Sequence, residues 1–335
     1  MKTENSQFIR NLGQRVLEGE SLSLAEAGHL DEQVSWSDLP ALFETSTRIR
    51  EKFLGRDISL CAITNVKSGY CGEDCIFCAQ SLHHQARISS YPLISVDQII
   101  ERAAQAKATG ARCFSLVASG GRTENPKEID RLAEAIQKMK VHVPSLDCAA
   151  SLGTVSFPTL TTLKEAGLKR YHHNLETAED FFPHICTTHS YQQRRDTIEA
   201  ARAAGLKVCS GGIFGLGETS RQRLELAFTL RELEVDSLPI NFLHPIAGTR
   251  CQGKDRLHPL EALKSIALLR FMLPQKSIMI CGGRHVILRS LQSWIFLAGA
   301  DGLMVGNYLT TKGMPWSEDR AMLQDLGFLS SVTSS

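Results

Sequence analysis

From Asp57 onward, short apolar runs alternate with longer amphipathic stretches whose apolar positions recur at helical spacing. The runs ISLCAI (58–63), RCFSLVA (112–118), VPSLDCAA (143–150), RYHHNLE (170–176), KVCSGGI (207–213), LPINFL (238–243), SIMICGG (277–283) and DGLMVGN (301–307) predict strands. Between them SVDQIIERAAQAKATG, NPKEIDRLAEAIQKMK, SYQQRRDTIEAARAAG, RQRLELAFTLREL and PLEALKSIALLRFM predict helices, several of them stopped by glycine. Eight strands alternating with helices, with no break in composition, predict an α/β fold: one closed parallel (β/α)8 TIM barrel over residues 54–315. A doubly wound open sheet is the alternative. It needs a glycine-rich phosphate turn after an early strand, and Gly120-Gly121 is too slight for one. Residues 1–53 read as an N-terminal helical extension, expected to cap one end of the barrel, and 316–335 as a C-terminal helix and tail.

Composition narrows the function classes. Hydrophobic residues make up 43% and charged residues 22%, ordinary for a globular enzyme. A formal charge of +1 provides no basic excess to collect phosphates, which argues against nucleic acid and against an electrostatic membrane patch. No run approaches the roughly 18 apolar residues of a membrane span. The N-terminal stretch is polar and amphipathic, without the apolar core of a signal peptide. A cytoplasmic protein is expected. In that reducing compartment ten cysteines point to metal or catalysis rather than to a disulfide framework.

Three of the ten sit in one loop, Ser68-Gly-Tyr-Cys71-Gly-Glu-Asp-Cys75-Ile-Phe-Cys78-Ala-Gln, spaced C-x3-C-x2-C. Thiolates ligate iron–sulfur clusters, usually four at a time, so three can hold a cube and leave one iron open to another ligand. Structural zinc is the rival, but it wants a fourth Cys or His at a second paired spacing, and His83 and His84 follow too closely. The loop follows the first strand. That puts it at the C-terminal end of the barrel, where chemistry gathers in this fold.

Cys113, Cys148, Cys209 and Cys281 each fall in or at the end of a different strand. Strand side chains alternate in and out, so the four have the means to converge on a second cluster in the lumen, with Arg284 just after Cys281. Elsewhere, YHHNLET (171–177) sets Asn174 and Glu176 on one strand face, suited to hydrogen-bond a ribose or a small polar molecule. The glycines of GGIFGLGET (211–219), closed by Glu218, let a flat ligand approach the backbone, and Gly120 and Gly121 are assigned to the cofactor with them. Asn241, Thr310 and Thr311 add amide and hydroxyl groups at later strand ends. Cys61 reads as a core residue, and Cys186 and Cys251 lie in loops with no assigned role.

The three-Cys loop resembles the radical S-adenosylmethionine enzymes. Taken in order, GYCGEDCIFCAQ, YHHNLET, TTHSYQQRRDT, VCSGGIFGLGET, PINFL, GGR and LTT resemble the biotin synthase family over about residues 55–311. The resemblance implies a sulfurtransferase converting dethiobiotin to biotin. Cys71, Cys75 and Cys78 would hold a [4Fe-4S] cluster that cleaves S-adenosylmethionine to a 5′-deoxyadenosyl radical, and an auxiliary cluster would donate the sulfur. It also implies Asn174 and Asn241 on the ureido ring, Thr310 and Thr311 on the substrate carboxylate, and Glu176 on the ribose of S-adenosylmethionine, where Asp is usual. A reductase or flavodoxin-type electron donor and a homodimer are expected partners.

The auxiliary site departs from the family pattern, which is a [2Fe-2S] cluster on three strand cysteines and one arginine. Cys209 and Arg284 fall in register, but the second-strand position is Ser115, with Cys113 two residues earlier, and the third-strand position is Ala149, beside Cys148. Cys281 is additional. Four barrel thiolates, Cys113, Cys148, Cys209 and Cys281, suit a cubane-type cluster better than an arginine-ligated rhomb. Three other readings stay open. They are a hydrogenase maturase or mutase of the same barrel group, a non-catalytic iron–sulfur carrier, and a zinc-stabilised binding module.

Overall fold

The computed structural model describes residues 2–329. Three helices, α1 (Lys2–Leu17), α2 (Leu24–Gln33) and α3 (Leu39–Leu54), precede the first strand. The alternation then begins with β1 (Ser59–Lys67), α4 (Val96–Ala108), β2 (Cys113–Ala118), α5 (Pro126–His142), β3 (Asp147–Ser151), α6 (Phe157–Ala166), β4 (Arg170–His172) and α7 (Tyr191–Ala203). It continues with β5 (Lys207–Cys209), β6 (Gly212–Phe214), α8 (Ser220–Glu232), β7 (Ser237–Phe242), α9 (Pro259–Met272), β8 (Ser277–Ile280), α10 (Arg284–Leu288), α11 (Trp294–Leu297), β9 (Gly302–Met304) and α12 (Trp316–Asp325). Several helix starts are fixed locally. Ser23, Ser95, Ser190 and Thr219 each accept from the amide three residues on, and Glu26, Gln98, Gln193 and Gln222 return the bond.

Every neighbouring strand pair is parallel, in the order β5-β4-β3-β2-β1-β9-β8-β7-β6, and β5 meets β7 at Cys209 and Ser237, which closes the ring. β5 and β6 are halves of one stave interrupted at Ser210 and Gly211, so nine segments form the eight staves of a TIM barrel. The interruption has a local cause. Pro239 on β7 has no N–H to donate, and a Cβ on Gly211 would lie 2.0 Å from the Pro239 carbonyl oxygen. The fourth strand is shorter than the sequence predicts, because Glu176 takes φ of 72° and the chain has left the ladder after His172. The third starts only at Asp147, after a turn in which Leu146 N donates to the Val143 carbonyl.

Alternate strand residues point outward into the layer beneath the helices. Phe114, Leu116, Ala150, Tyr171, Leu238, Ile240, Ile278 and Leu303 are all buried there. Each large one contributes about 1.5–3 kcal/mol of burial, which clamps the staves and leaves the inward residues free for chemistry. The N-terminal helices pack against α8, α9 and α11 of the outer ring, so the extension flanks the barrel and does not cap an end. The three-Cys loop lies in the long β1–α4 connection, at the C-terminal end of β1.

Candidate active site

The loop of Cys71, Cys75 and Cys78 is held by its own backbone and by the segment after β4. Cys71 N donates to the Gln80 carbonyl and Leu82 N to the Cys71 carbonyl, Cys78 N donates to Cys75 O, and Ile76 N donates to Ile185 O. The Asp74 carboxylate accepts from Thr187 N at 2.8 Å, Thr187 Oγ1 at 2.6 Å and Thr188 N at 3.3 Å. Burial works to raise Asp74, but these donors outweigh it and hold the group well below the usual carboxylate range. Glu73 Oε2 lies 2.6 Å from His189 Nδ1. His84 Nδ1 lies 2.8 Å from the Cys78 carbonyl and His83 Nε2 3.0 Å from that of Gly72, so both rings brace the loop. All three thiols are free, and burial pushes Cys78 up to about 11.

Beneath the loop the lumen is a cavity of about 330 Å³, within the range of small-molecule sites. Phe77, Cys78, Ala79 and Gln80 form part of its mouth. Its wall includes Cys61 from β1, Cys113 and Ser115 from β2, Ala149 from β3, Arg170 and His172 from β4, Cys209 from β5, and Cys281 after β8. Cys61 pairs with Cys113 in the β1–β2 register, and His172 pairs with Cys209. Cys61 is raised by its hydrogen bond with Cys113, then by burial and by the nearby charges of Cys113, Cys281 and Cys209. The four sulfurs therefore face one another.

Two of the expected auxiliary ligands do not. Cys148 points outward into the apolar layer, because β3 alternates and Ala149 and Ser151 take the inward positions. Arg284 is buried outside the lumen, where Nη2 donates to both Asp319 oxygens at 2.8 and 3.0 Å and Nη1 to Gln292 at 2.6 Å. Cys61, read as a core residue, supplies the fourth inward thiol instead. Its signal was available in sequence only through strand register, since a β1 cysteine meets Cys113 only if the two staves pair at that offset.

The upper lumen brings together Asn174, Glu176, Asn241, Thr310 and Thr311. Asn174 Nδ2 donates to Glu176 Oε2 at 3.2 Å, and its Oδ1 accepts from Gly211 N at 3.1 Å. Burial raises the Glu176 carboxyl above its ordinary value despite Arg194 nearby. A Cβ on Gly212 would sit 2.4 Å from the Glu176 carbonyl oxygen, so glycine there lets the strained residue 176 be held. Asn241 Oδ1 accepts from Gly282 N at 2.9 Å.

Glu218, Gly120 and Gly121 do not line the cavity. Glu218 is bound to the amides of Gly215 and Gly217 and to Arg223 Nε at 2.7 Å, so it closes the turn from within. Gly121 packs under the cluster loop, where a Cβ would lie 1.8 Å from Glu73 Oε1. Sequence reasoning missed Arg194, whose Nη1 donates to Asn174 O at 2.8 Å and whose Nε donates to His189 Nε2 at 2.9 Å. It also missed Arg170 and His172 on the lumen floor, and Cys186, whose sulfur is 3.7 Å from that of Cys75. A lone loop cysteine some 110 residues from its partner carries no local signal.

Comparison with known proteins gives the same picture from another direction. A family model described as the Radical SAM superfamily matches residues 65–230, and one described as the Biotin and Thiamin Synthesis associated domain matches 239–329. The chain is 50% identical over 321 residues to a biotin synthase of Geobacter metallireducens, covering 96% of this chain and 97% of the relative. It is 49% identical to one of Geobacter sulfurreducens, with the same coverage. Among solved structures, methylornithine synthase superposes with a TM-score of 0.82 at 20% identity, covering 96% of this chain and 97% of that one. The FeFe-hydrogenase maturase of Carboxydothermus hydrogenoformans gives 0.78 at 19% identity, covering 100% and 86%. These structures share the fold.

Proposed function

The chain belongs to the biotin synthase family of radical S-adenosylmethionine enzymes, and from that premise we propose how its own residues divide the work. The activity is sulfur insertion that converts dethiobiotin to biotin. When bound, the [4Fe-4S] cluster with S-adenosylmethionine supplies a carbon radical that takes hydrogen from the substrate, and the auxiliary cluster supplies sulfur. The protein positions and shields.

The donor sets fit these groups. Cys71, Cys75 and Cys78 are free thiols on one pinned loop at the mouth of the lumen, three ligands for a cube with one open iron. Glu176 and Asn174 present a buried carboxylate and amide beside the glycines Gly211 and Gly212, suited to the ribose of S-adenosylmethionine. Asn241 and Asn174 read the ureido ring, and Thr310 with Thr311 hold the substrate carboxylate. Arg194 orients Asn174 and lies 3.8 Å from Glu176, so it is a positioning residue.

For the auxiliary cluster the ligands are Cys61, Cys113, Cys209 and Cys281, in place of any set that includes Cys148 or Arg284. One observation carries this assignment: thiols from four different staves face one another in the lumen. Four thiolates can hold a [2Fe-2S] rhomb or a [4Fe-4S] cube; a set without an arginine departs from the arginine-ligated rhomb, and the cubane type is the reading proposed. Mössbauer spectroscopy on anaerobically reconstituted protein tests it, with iron and sulfide counted alongside. A second cubane-type spectrum that changes on turnover with dethiobiotin and S-adenosylmethionine is expected. A [2Fe-2S] spectrum, or a single cluster, would overturn it.

The electron donor in this reading is of flavodoxin type. Tyr70 and Leu82, exposed apolar side chains flanking the cluster loop, suit such a contact. A homodimer is the expected assembly on general grounds, and the cytoplasm the expected compartment. Among the described residues no helix is long and apolar enough to cross a membrane.

A further inference from the structure

Arg170 opens β4, is half-buried and lines the floor of the lumen. Its Nη1 donates to Ser237 Oγ at 2.6 Å. Ser237 belongs to β7 and stands opposite Cys209 of β5. The arginine arm therefore reaches across the stave that carries Cys209 and is fixed at its far end. A guanidinium has five N–H donors, and among the described residues this one finds a single acceptor and no carboxylate within ion-pair distance. Arg170 and Glu176 are the formally charged side chains among the described residues that line the lumen. Glu176 accepts from Asn174 and lies 3.8 Å from Arg194, so it is not the counter-ion of Arg170.

A second unpartnered donor stands in the same row. Ser115, Ala149 and Arg170 are aligned across β2, β3 and β4. Ser115 is only 6% exposed, lines the lumen, and has a hydroxyl with no partner. An enclosed cation without a counter-ion and a buried hydroxyl without an acceptor are each costly. An anion in the lumen that accepts hydrogen bonds relieves both. The inward thiols Cys61, Cys113, Cys209 and Cys281 line the same cavity, and as cluster ligands they are thiolates.

We propose that Arg170 and Ser115 form the donor wall of the auxiliary cluster, with Arg170 as its fixed counter-charge, and that together they raise its reduction potential. The direction follows from chemistry. A nearby positive charge and donated hydrogen bonds stabilise the more negative, reduced cluster more than the oxidised one. Net charge and hydrogen bonds to sulfur are among the factors that set iron–sulfur potentials. Ser237 holds the guanidinium in place for this role. The inference rests on the auxiliary cluster being seated on Cys61, Cys113, Cys209 and Cys281.

The test is a redox titration of full-length reconstituted protein followed by EPR. The loop cluster is the one whose signal changes on adding S-adenosylmethionine, and its presence reports a folded barrel. The auxiliary cluster is the other. Arg170→Gln, which keeps a polar amide but no charge, is expected to hold the auxiliary cluster at a more negative midpoint. Arg170→Lys restores the charge and should recover most of that shift. Ser115→Ala should move the midpoint in the same direction by less. Loss of the auxiliary cluster from Arg170→Gln, with retention in Arg170→Lys, would also support the counter-charge. An unchanged midpoint in Arg170→Gln, or an Arg170→Lys protein that matches it, would overturn the proposal. Loss of the auxiliary cluster alone from both Arg170 variants would overturn it too, by making the shape of the arginine the requirement. Should Arg170→Gln lose both clusters, Ser115→Ala decides, and an unchanged midpoint there overturns the proposal. Cys209→Ala separates the premise: it must abolish the auxiliary signal, and if that signal survives, the ligand assignment itself has failed.

Discussion

Cys61 and Cys113 stand opposite each other across the β1–β2 ladder, and both line the lumen. In this barrel that pair stands where the family pattern puts a cysteine two residues further along β2, at Ser115, whose hydroxyl is buried without a partner. Cys61→Ala is expected to remove the auxiliary cluster and reduce biotin formation below detection while leaving the loop cluster intact. Iron counting with Mössbauer spectra of the variant checks it. Cys148→Ala is the control. It should keep both clusters and lose about 1 kcal/mol of stability from the small cavity in the apolar layer.

Arg284 is bound into a buried pair with Asp319 of α12, each side chain almost fully enclosed. Removing one member of such a pair leaves an uncompensated charge and costs about 3–5 kcal/mol. Asp319→Ala should therefore lower stability by that order in chemical denaturation. Arg284→Met combined with Asp319→Leu should recover much of it and still hold an auxiliary cluster. An arginine that ligated the cluster would give the opposite result, with the double variant stable but unable to assemble it.

The eight-stave alternation and the three-Cys loop were legible because both are local. Strands repeat with period two, helices with period near 3.6, and the loop cysteines are close in sequence. The direction of each barrel cysteine was not legible. One residue of register decides whether a strand side chain faces lumen or helix, and Cys148 beside Ala149 shows how small that margin is. Cys186 was hidden for a different reason, since its partner Cys75 arrives only when the β4 connection folds back over the β1 loop. Arg194 was hidden because its partners Asn174 and His189 meet it only once the β4–α7 connection has folded onto α7. Glu218 misled because a carboxylate closing a glycine turn has the same sequence appearance whether it faces a ligand or its own amides.

Asp74 ties the cluster loop to Thr187 and Thr188, with Arg250 Nη2 3.2 Å from its carboxylate. Asp74→Ala is expected to cost about 2 kcal/mol, since hydrogen bonds to a charged group contribute roughly 1.5–3 kcal/mol, and to make the loop cluster labile. The pH dependence has a definite sign. The native pKa is depressed, so this stabilisation is complete above the unfolded value of about 3.9 and is lost as pH falls toward the native one. Denaturation midpoints of the two proteins should differ at neutral pH and converge in acid.

Glu176 is held at φ 72° in the lumen wall, a backbone position a long side chain occupies only when the surroundings enforce it. Burial raises its pKa in the native state. The native protein therefore binds this proton more tightly than the unfolded chain, and its contribution to stability falls as pH rises from about 4.3 through the raised native value. Glu176→Gln cannot ionise, so it should flatten that slope and slightly stabilise the apo protein at neutral pH. The same substitution should weaken S-adenosylmethionine. Losing a charge-assisted acceptor for a ribose hydroxyl is worth roughly 1.5–3 kcal/mol, or about 10- to 100-fold in Kd. Anaerobic equilibrium binding alongside denaturation at several pH values checks both at once. A stabilised protein that binds S-adenosylmethionine as tightly as before would mean that the strain at residue 176 serves something other than the ribose.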